Sequence, residues 1–314
     1  MYNFWRRLPL NKLSLAAAIG MFIVLLQGAI VTKTGSGEGC GDDWPLCNGK
    51  FVPSYTIESM IEYSHRLVSG IEGILILMLF IAVMVQVKRK DVRWYITLAL
   101  LFTIIQAILG AMVVVFHQPP LVKALHFGIS LFAFGCSLLT AVVIRHSAKI
   151  PETLPSGVVA GRTFKAPSRL LQFGIWLTTV YCLVVVYLGA YIRHTKSWGG
   201  CSGWPLCNGQ VIPELSGATG VVFLHRTAAL IFFIVLLCLY LIVRRQSELP
   251  GEFRQWTGWA FVLVILQVLS GALVTFTIAS EWIITTGLLH AVLIAGLFSV
   301  LLYLCVRAYQ LGER

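Results

Sequence analysis

The sequence predicts an all-α integral membrane protein with eight transmembrane helices, arranged as two four-helix bundles related by a pseudo-two-fold axis. Three observations lead there. Hydrophobic residues make up 58% of the 314-residue chain and charged residues only 12%, about half the charged share of a soluble domain, and mean hydropathy is +0.84. Eight apolar runs reach the roughly 20 residues that a bilayer crossing requires; they lie near 12–31, 63–87, 94–116, 122–144, 169–192, 220–243, 256–278 and 283–306. The third observation is an internal repeat that pairs the first four runs with the last four.

The first run follows Arg6, Arg7 and Lys12. It is too long for the apolar core of a signal peptide and no small-residue cleavage site follows it, so it reads as a retained helix. Basic residues also follow the second run (Lys88, Arg89, Lys90, Arg93), the fourth (Arg145, Lys149, Arg162, Lys165, Arg169), the sixth (Arg244, Arg245, Arg254) and the last (Arg307, Arg314). The other loops are poor in Lys and Arg and hold Glu38, Asp42, Asp43, Glu214 and Glu281. The positive-inside rule then places both termini in the cytoplasm and the two long loops outside, for a protein of the cell (cytoplasmic) membrane. The net charge of +11 arises from these clusters between spans. It is a topology signal, and it argues for a lipid bilayer and against nucleic acid as partner.

The repeat is carried by matched residues. Gly28-Ala29 corresponds to Gly189-Ala190, and Cys40 with Trp44-Pro45-Leu46-Cys47-Asn48-Gly49 corresponds to Cys201 with Trp204-Pro205-Leu206-Cys207-Asn208-Gly209. His65-Arg66 matches His225-Arg226, Gln106 and Gly110 match Gln267 and Gly271, and His126 matches His290. Four spans per half is an even number, so the halves share one orientation, as in parallel-repeat transporters. The expected domains are an N-terminal bundle (1–145), a cytoplasmic linker (146–168) punctuated by Pro and Gly, and a C-terminal bundle (169–314). In the third span of each half, Gly110 and Gly271 read as sites of close helix packing, and Gln106 and Gln267 as interhelical hydrogen-bonders. Pro119-Pro120 reads as a tight turn.

Cys136, Cys182, Cys238 and Cys305 fall inside spans and read as small apolar filler. Cys40, Cys47, Cys201 and Cys207 fall in the two outer loops, on the oxidising side, where close pairs become disulfides. The expected bonds are Cys40–Cys47 and Cys201–Cys207. Their spacing is wider than a zinc site uses, and a redox role for Cys40–Cys47 stays open beside the structural one.

His65, His126, His225 and His290 lie inside spans, on the second and fourth helices of each half, and are expected within the first turn or so of each helix. Two imidazoles from neighbouring helices at one depth are what axial ligation of a haem iron requires. The alternatives are interhelical hydrogen bonding, and copper or zinc, which normally want three or four protein ligands. Arg66, Arg226 and Lys123 are candidate propionate contacts or interfacial anchors. His117, His146 and His194 read as ordinary polar residues, with His194 near enough to the second loop to touch a ligand.

One difference breaks the symmetry. Glu62 precedes His65 by one turn, and its counterpart is Val222. A carboxyl partly out of water beside a haem edge could move protons; the alternative is a solvated residue at the helix entrance. The asymmetry makes the first half the reaction site and the second a haem holder. It also disfavours two rivals, a membrane haem transporter or carrier and a bis-His cytochrome b that moves electrons.

The motifs Thr34-Gly35-Ser36-Gly37 leading into Cys40, Trp44-Pro45-Leu46-Cys47, Glu62-Tyr63-Ser64-His65-Arg66, Leu125-His126-Phe127 and Arg193-His194-Thr195, with the repeat, resemble the haem A synthase family, in its bacterial form with paired cysteines in both extracellular loops. The resemblance covers nearly the whole chain. It implies an oxidoreductase that converts the C8 methyl of haem O to a formyl group through alcohol and gem-diol stages, with oxygen from water. It further implies haem b on His225 and His290 as cofactor, haem O on His65 and His126 as substrate, and Glu62 as the acid–base or carbocation-stabilising residue. A haem O synthase would supply the substrate and a terminal cytochrome oxidase would receive the product, with an unidentified electron acceptor.

Overall fold

The computed structural model describes residues 2–53, 55–116, 118–146, 158–159 and 162–312. Among them the chain forms α1 (Tyr2–Arg7), α2 (Leu10–Thr34), α3 (Ile57–Gln86), α4 (Lys90–Val115), α5 (Pro120–His146), α6 (Arg169–His194), α7 (Gly217–Arg245), α8 (Gly251–Phe276) and α9 (Ile283–Leu311). The helices α2 to α9 are each long and apolar enough to cross a membrane, so this is an all-helical, multi-pass membrane protein. Among the described residues the strand content is a two-residue antiparallel pairing, Val158–Val159 with Arg162–Thr163. Most of the expected 146–168 linker, and His117, lie outside the described residues.

The apolar runs located the helices but not their ends. In α3 the helix starts at Ile57, where the Thr56 side chain accepts the Ser59 N–H at 3.3 Å. A capping hydroxyl satisfies an otherwise orphaned N–H, and hydropathy cannot see the polar turns that follow. His65 is consequently the ninth residue of its helix, and His225 the ninth of α7. Both lie in the third turn rather than the first. At the other end of the loop, α2 stops at Gly35, whose φ of 73° is the left-handed conformation that suits glycine as a helix terminator.

The chain divides into two compact units, Met1–Glu152 and Thr153–Arg314. In the first, α2 packs on α3, α3 on α4, α4 on α5 and α5 back on α2. The ring is closed, and α3 and α5 oppose each other across it. The second unit repeats the pattern with α6, α7, α8 and α9, so α7 and α9 are the opposed pair. The histidine-bearing helices are thus diagonal partners, not the neighbouring ones that the sequence suggested. Short α1 docks at the far end of α3, where Gln86 Nε2 donates to the carbonyls of Trp5 at 2.6 Å and Leu8 at 3.1 Å.

The largest fully buried side chains lie away from the disulfide loops: Ile76, Leu79 and Ile96 in the first unit, Ile175, Leu236, Phe253 and Leu301 in the second. In lipid such contacts hold helices together by dispersion rather than water exclusion. Cys136, Cys182 and Cys305 belong to these cores, but Cys238 is exposed on α7 and fills nothing.

Candidate active site

Each of the four histidines sits against a glycine of an adjacent helix. A Cβ on Gly28 of α2 would lie 3.3 Å from His65 Cε1, and one on Gly110 of α4 would lie 3.5 Å from His126 Cε1. In the second unit a Cβ on Gly189 of α6 would come within 3.0 Å of His225 Cε1, and one on Gly271 of α8 within 3.3 Å of His290 Cε1. The glycines that read as helix-packing residues are the space into which the imidazoles fit. Two helices of each ring carry the histidines, and the other two carry the glycines.

The glutamines act between helices, differently in each unit. Gln106 Nε2 donates to the His126 backbone carbonyl at 2.6 Å. Gln267 Nε2 instead meets the His290 ring at Nε2, 3.0 Å away, while Ser270 Oγ lies 2.8 Å from its Nδ1. Ser270 donates its proton to the Gln267 carbonyl at 2.9 Å, so it accepts from Nδ1–H. This assignment, made from the hydrogen-bond network, leaves the lone pair on Nε2, the tautomer that binds a metal through Nε2. The first-half counterpart of Ser270 is Leu109, which has no hydroxyl to offer.

The loops arrive as built lids. Cys40–Cys47 and Cys201–Cys207 are bonded. Gly39 lies against the backbone of Glu58 and Ser59, and Gly200 against Ala218 and Thr219, an approach that only a residue without a side chain permits. Ser59 Oγ donates to the Gly39 carbonyl.

Glu62 is 3% exposed, which removes the solvated-entrance alternative. Its Oε2 accepts the Cys40 N–H at 2.9 Å and its Oε1 accepts from Arg66 Nη2 at 2.5 Å. Arg66 Nη1 also donates to the carbonyls of Asp43 at 2.7 Å and Leu46 at 2.6 Å. The carboxylate, the arginine and the disulfide loop are therefore one network. In the second unit Arg226 Nη1 donates to Gly203 at 3.0 Å and Leu206 at 3.2 Å, and its Nη2 turns to Thr275 Oγ1 at 3.1 Å. Val222 there is buried against Cys201 and Cys207, an apolar plug where the first unit has a charge. Lys123 stands three residues before His126 on α5, and His194 ends α6.

These residues fit haem. Each ring offers two imidazoles on opposed helices and glycines that open the space beside them. The Nδ1 atom of His65 is buried without a hydrogen-bond partner. Sequence reading missed Ser270, Thr275 and the glycine cradles, although the recurrence of glycine in register with histidine was there to be seen.

The chain matches the family model for a cytochrome oxidase assembly protein, COX15-CtaA, over residues 11–60 and 53–302. It is 38% identical over 296 residues to the Heme A synthase of Alkalihalophilus pseudofirmus, covering 93% of this chain and 94% of that one. It is also 38% identical over 311 residues to that of Symbiobacterium thermophilum, covering 97% of each. With the Bacillus cereus enzyme it shares 39% over 302 residues, 93% of this chain and 91% of the relative. With its helical rings, paired loops and histidines in register, this chain belongs to the COX15-CtaA family of cytochrome oxidase assembly proteins.

Proposed function

We propose that the chain is a haem A synthase: an oxidoreductase that converts the C8 methyl of haem O to a formyl group through hydroxymethyl and gem-diol stages, with oxygen from water. The observation that carries this reading is Glu62, a buried carboxylate one helical turn from His65 with no counterpart in the second half.

In this reading His65 and His126 hold the haem O substrate between α3 and α5, and His225 and His290 hold haem b between α7 and α9. Bound there, haem b would supply one-electron redox chemistry, relaying the two electrons removed from the methyl group at each stage to the electron acceptor. The chain's own groups do the rest. Arg66 and the Cys40 N–H fix the Glu62 carboxylate in one orientation, and preorganised charge of this kind stabilises charge that develops in a transition state. Glu62 faces positive charge forming at the methyl carbon and accepts the proton of the incoming water. Val222 keeps the second site free of acid–base chemistry. Lys123, and the remaining N–H groups of Arg66 and Arg226, are the propionate contacts. The disulfide loops face the cell exterior, both termini face the cytoplasm, a haem O synthase supplies substrate and a terminal cytochrome oxidase takes the product.

The test is chromatography of haem extracted from membranes in which this chain is co-expressed with a haem O synthase. A haem A peak, or its hydroxylated precursor, is expected, and both should vanish in His65→Ala. Unchanged haem O and haem B alone, from haem-loaded protein, would point to a carrier instead.

A further inference from the structure

The first unit buries two more polar groups that the proposed chemistry does not use. Glu72 of α3 is 3% exposed and its Oε1 has no hydrogen-bond partner. Its carboxyl is lodged against Gly20 of α2, where any Cβ would collide with it. Gln27 of α2 likewise has a buried Oε1 without a partner. The interval from His65 to Glu72 is seven residues, as is that from Gly20 to Gln27. Two helical turns return to the same face, so both groups lie on the α2–α3 seam that also holds His65. Glu72 is about 10 Å further along α3 than His65, and helical side chains lean back toward the helix N-terminus, which here is toward His65.

In its neighbours the charged side chains are at helix ends: Lys12 and Lys33 in α2, Lys90, Asp91 and Arg93 in α4, and Arg6 and Arg7 in α1. A buried carboxyl without a counter-charge is carried as the neutral acid. Such an acid donates as well as accepts. The seam thus presents one donor, the Glu72 O–H, and one acceptor, Gln27 Oε1. The second unit has neither, because the matching residues are Leu188 and Phe232, the latter 3% exposed.

We propose that Gln27 and Glu72 are specificity-determining residues that recognise a hydroxyl on the substrate haem. The inference rests on the reading of the first unit as the haem O site. Haem O differs from haem B by a hydroxyethylfarnesyl chain in place of one vinyl group. Gln27 stands about 10 Å along α2 from Gly20, where the Glu72 carboxyl is lodged, and both side chains lean toward the gap between them. A hydroxyl placed in that gap would donate to Gln27 Oε1 and accept from Glu72. With propionates toward the loops, the substituted edge points down the seam toward these residues. The second unit, assigned to a haem without that hydroxyl, is apolar at both places.

The experiment measures haem composition rather than turnover. Protein carrying Glu62→Gln, which holds substrate unconverted, is purified from cells that make both haems, and haem O and haem B per polypeptide are quantified. Adding Glu72→Met, which keeps the volume and removes the hydrogen bond, should lower the haem O to haem B ratio about tenfold. Gln27→Leu should do the same, and Glu72→Gln should hold the ratio. Haem B retained in the second unit reports a folded protein. The inference is overturned if Glu72→Met keeps the ratio, or if Glu72→Gln loses as much as Glu72→Met, since shape alone would then matter. If the parent chain makes haem A while Glu72→Met keeps the ratio, only this inference falls. If Glu62→Gln carries no haem O at all and the parent makes no haem A, both readings fall together.

Discussion

Replacing Gly189 by alanine is expected to weaken haem binding at the proposed second-unit site most among four equivalent substitutions. The new Cβ would lie 3.0 Å from His225 Cε1, with Nε2 and Nδ1 at 3.5 and 3.6 Å. Carbon atoms in contact prefer roughly 3.5–4.0 Å, so the ring must withdraw by about 0.5–1 Å. Overpacking of this kind costs about 1–3 kcal/mol, which at tenfold per 1.4 kcal/mol is about a 5- to 140-fold loss in haem affinity. Gly28→Ala and Gly271→Ala, at 3.3 Å, should cost less, and Gly110→Ala, at 3.5 Å, should be nearly neutral. The assay is haem per polypeptide, by pyridine haemochrome spectra of each purified variant titrated with haem. Equal losses in Gly110→Ala and Gly189→Ala, or full haem in all four, would refute the view that these glycines exist to seat imidazoles.

Two further outcomes follow from the hydrogen-bond networks. Arg66→Met leaves the Glu62 carboxylate buried without its counter-charge, and should destabilise the first unit by about 3–5 kcal/mol; Arg226→Met removes only neutral partners and should cost less. Adding Glu62→Gln to Arg66→Met should recover much of the loss, as read by denaturant unfolding in detergent, and additive losses would contradict the pairing. Ser270→Ala removes the Ser270 hydrogen bond at His290 Nδ1 and should reduce haem affinity at the proposed second site by about 10- to 100-fold, measured by haem titration, with Leu109→Ala in the first unit as the control.

The spans were legible because a bilayer demands long uninterrupted apolar runs, and the repeat because its motifs recur in register. Helix starts were not legible. The α3 helix opens with Glu58, Ser59 and Glu62, whose polarity is masked in the structure by capping and by the loop. The partners of Arg66 were hidden for a different reason: they are backbone carbonyls of residues 43 and 46, and carbonyls leave no mark on a sequence. Glu72 was hidden in plain sight. It lies inside a run that reads as apolar on average, although an ionisable residue in a span is a functional candidate by default. The diagonal placement of His65 and His126 depends on which helices close the ring, and that is a packing outcome rather than a local pattern.

In the proposed function, one buried carboxylate separates a reacting half from a haem-holding half. Haem extracted from Glu62→Gln, co-expressed with a haem O synthase, tests it most directly. Both haem sites should be filled, with haem O retained and no haem A or hydroxylated precursor. Haem A formed at the parent rate by Glu62→Gln would contradict it.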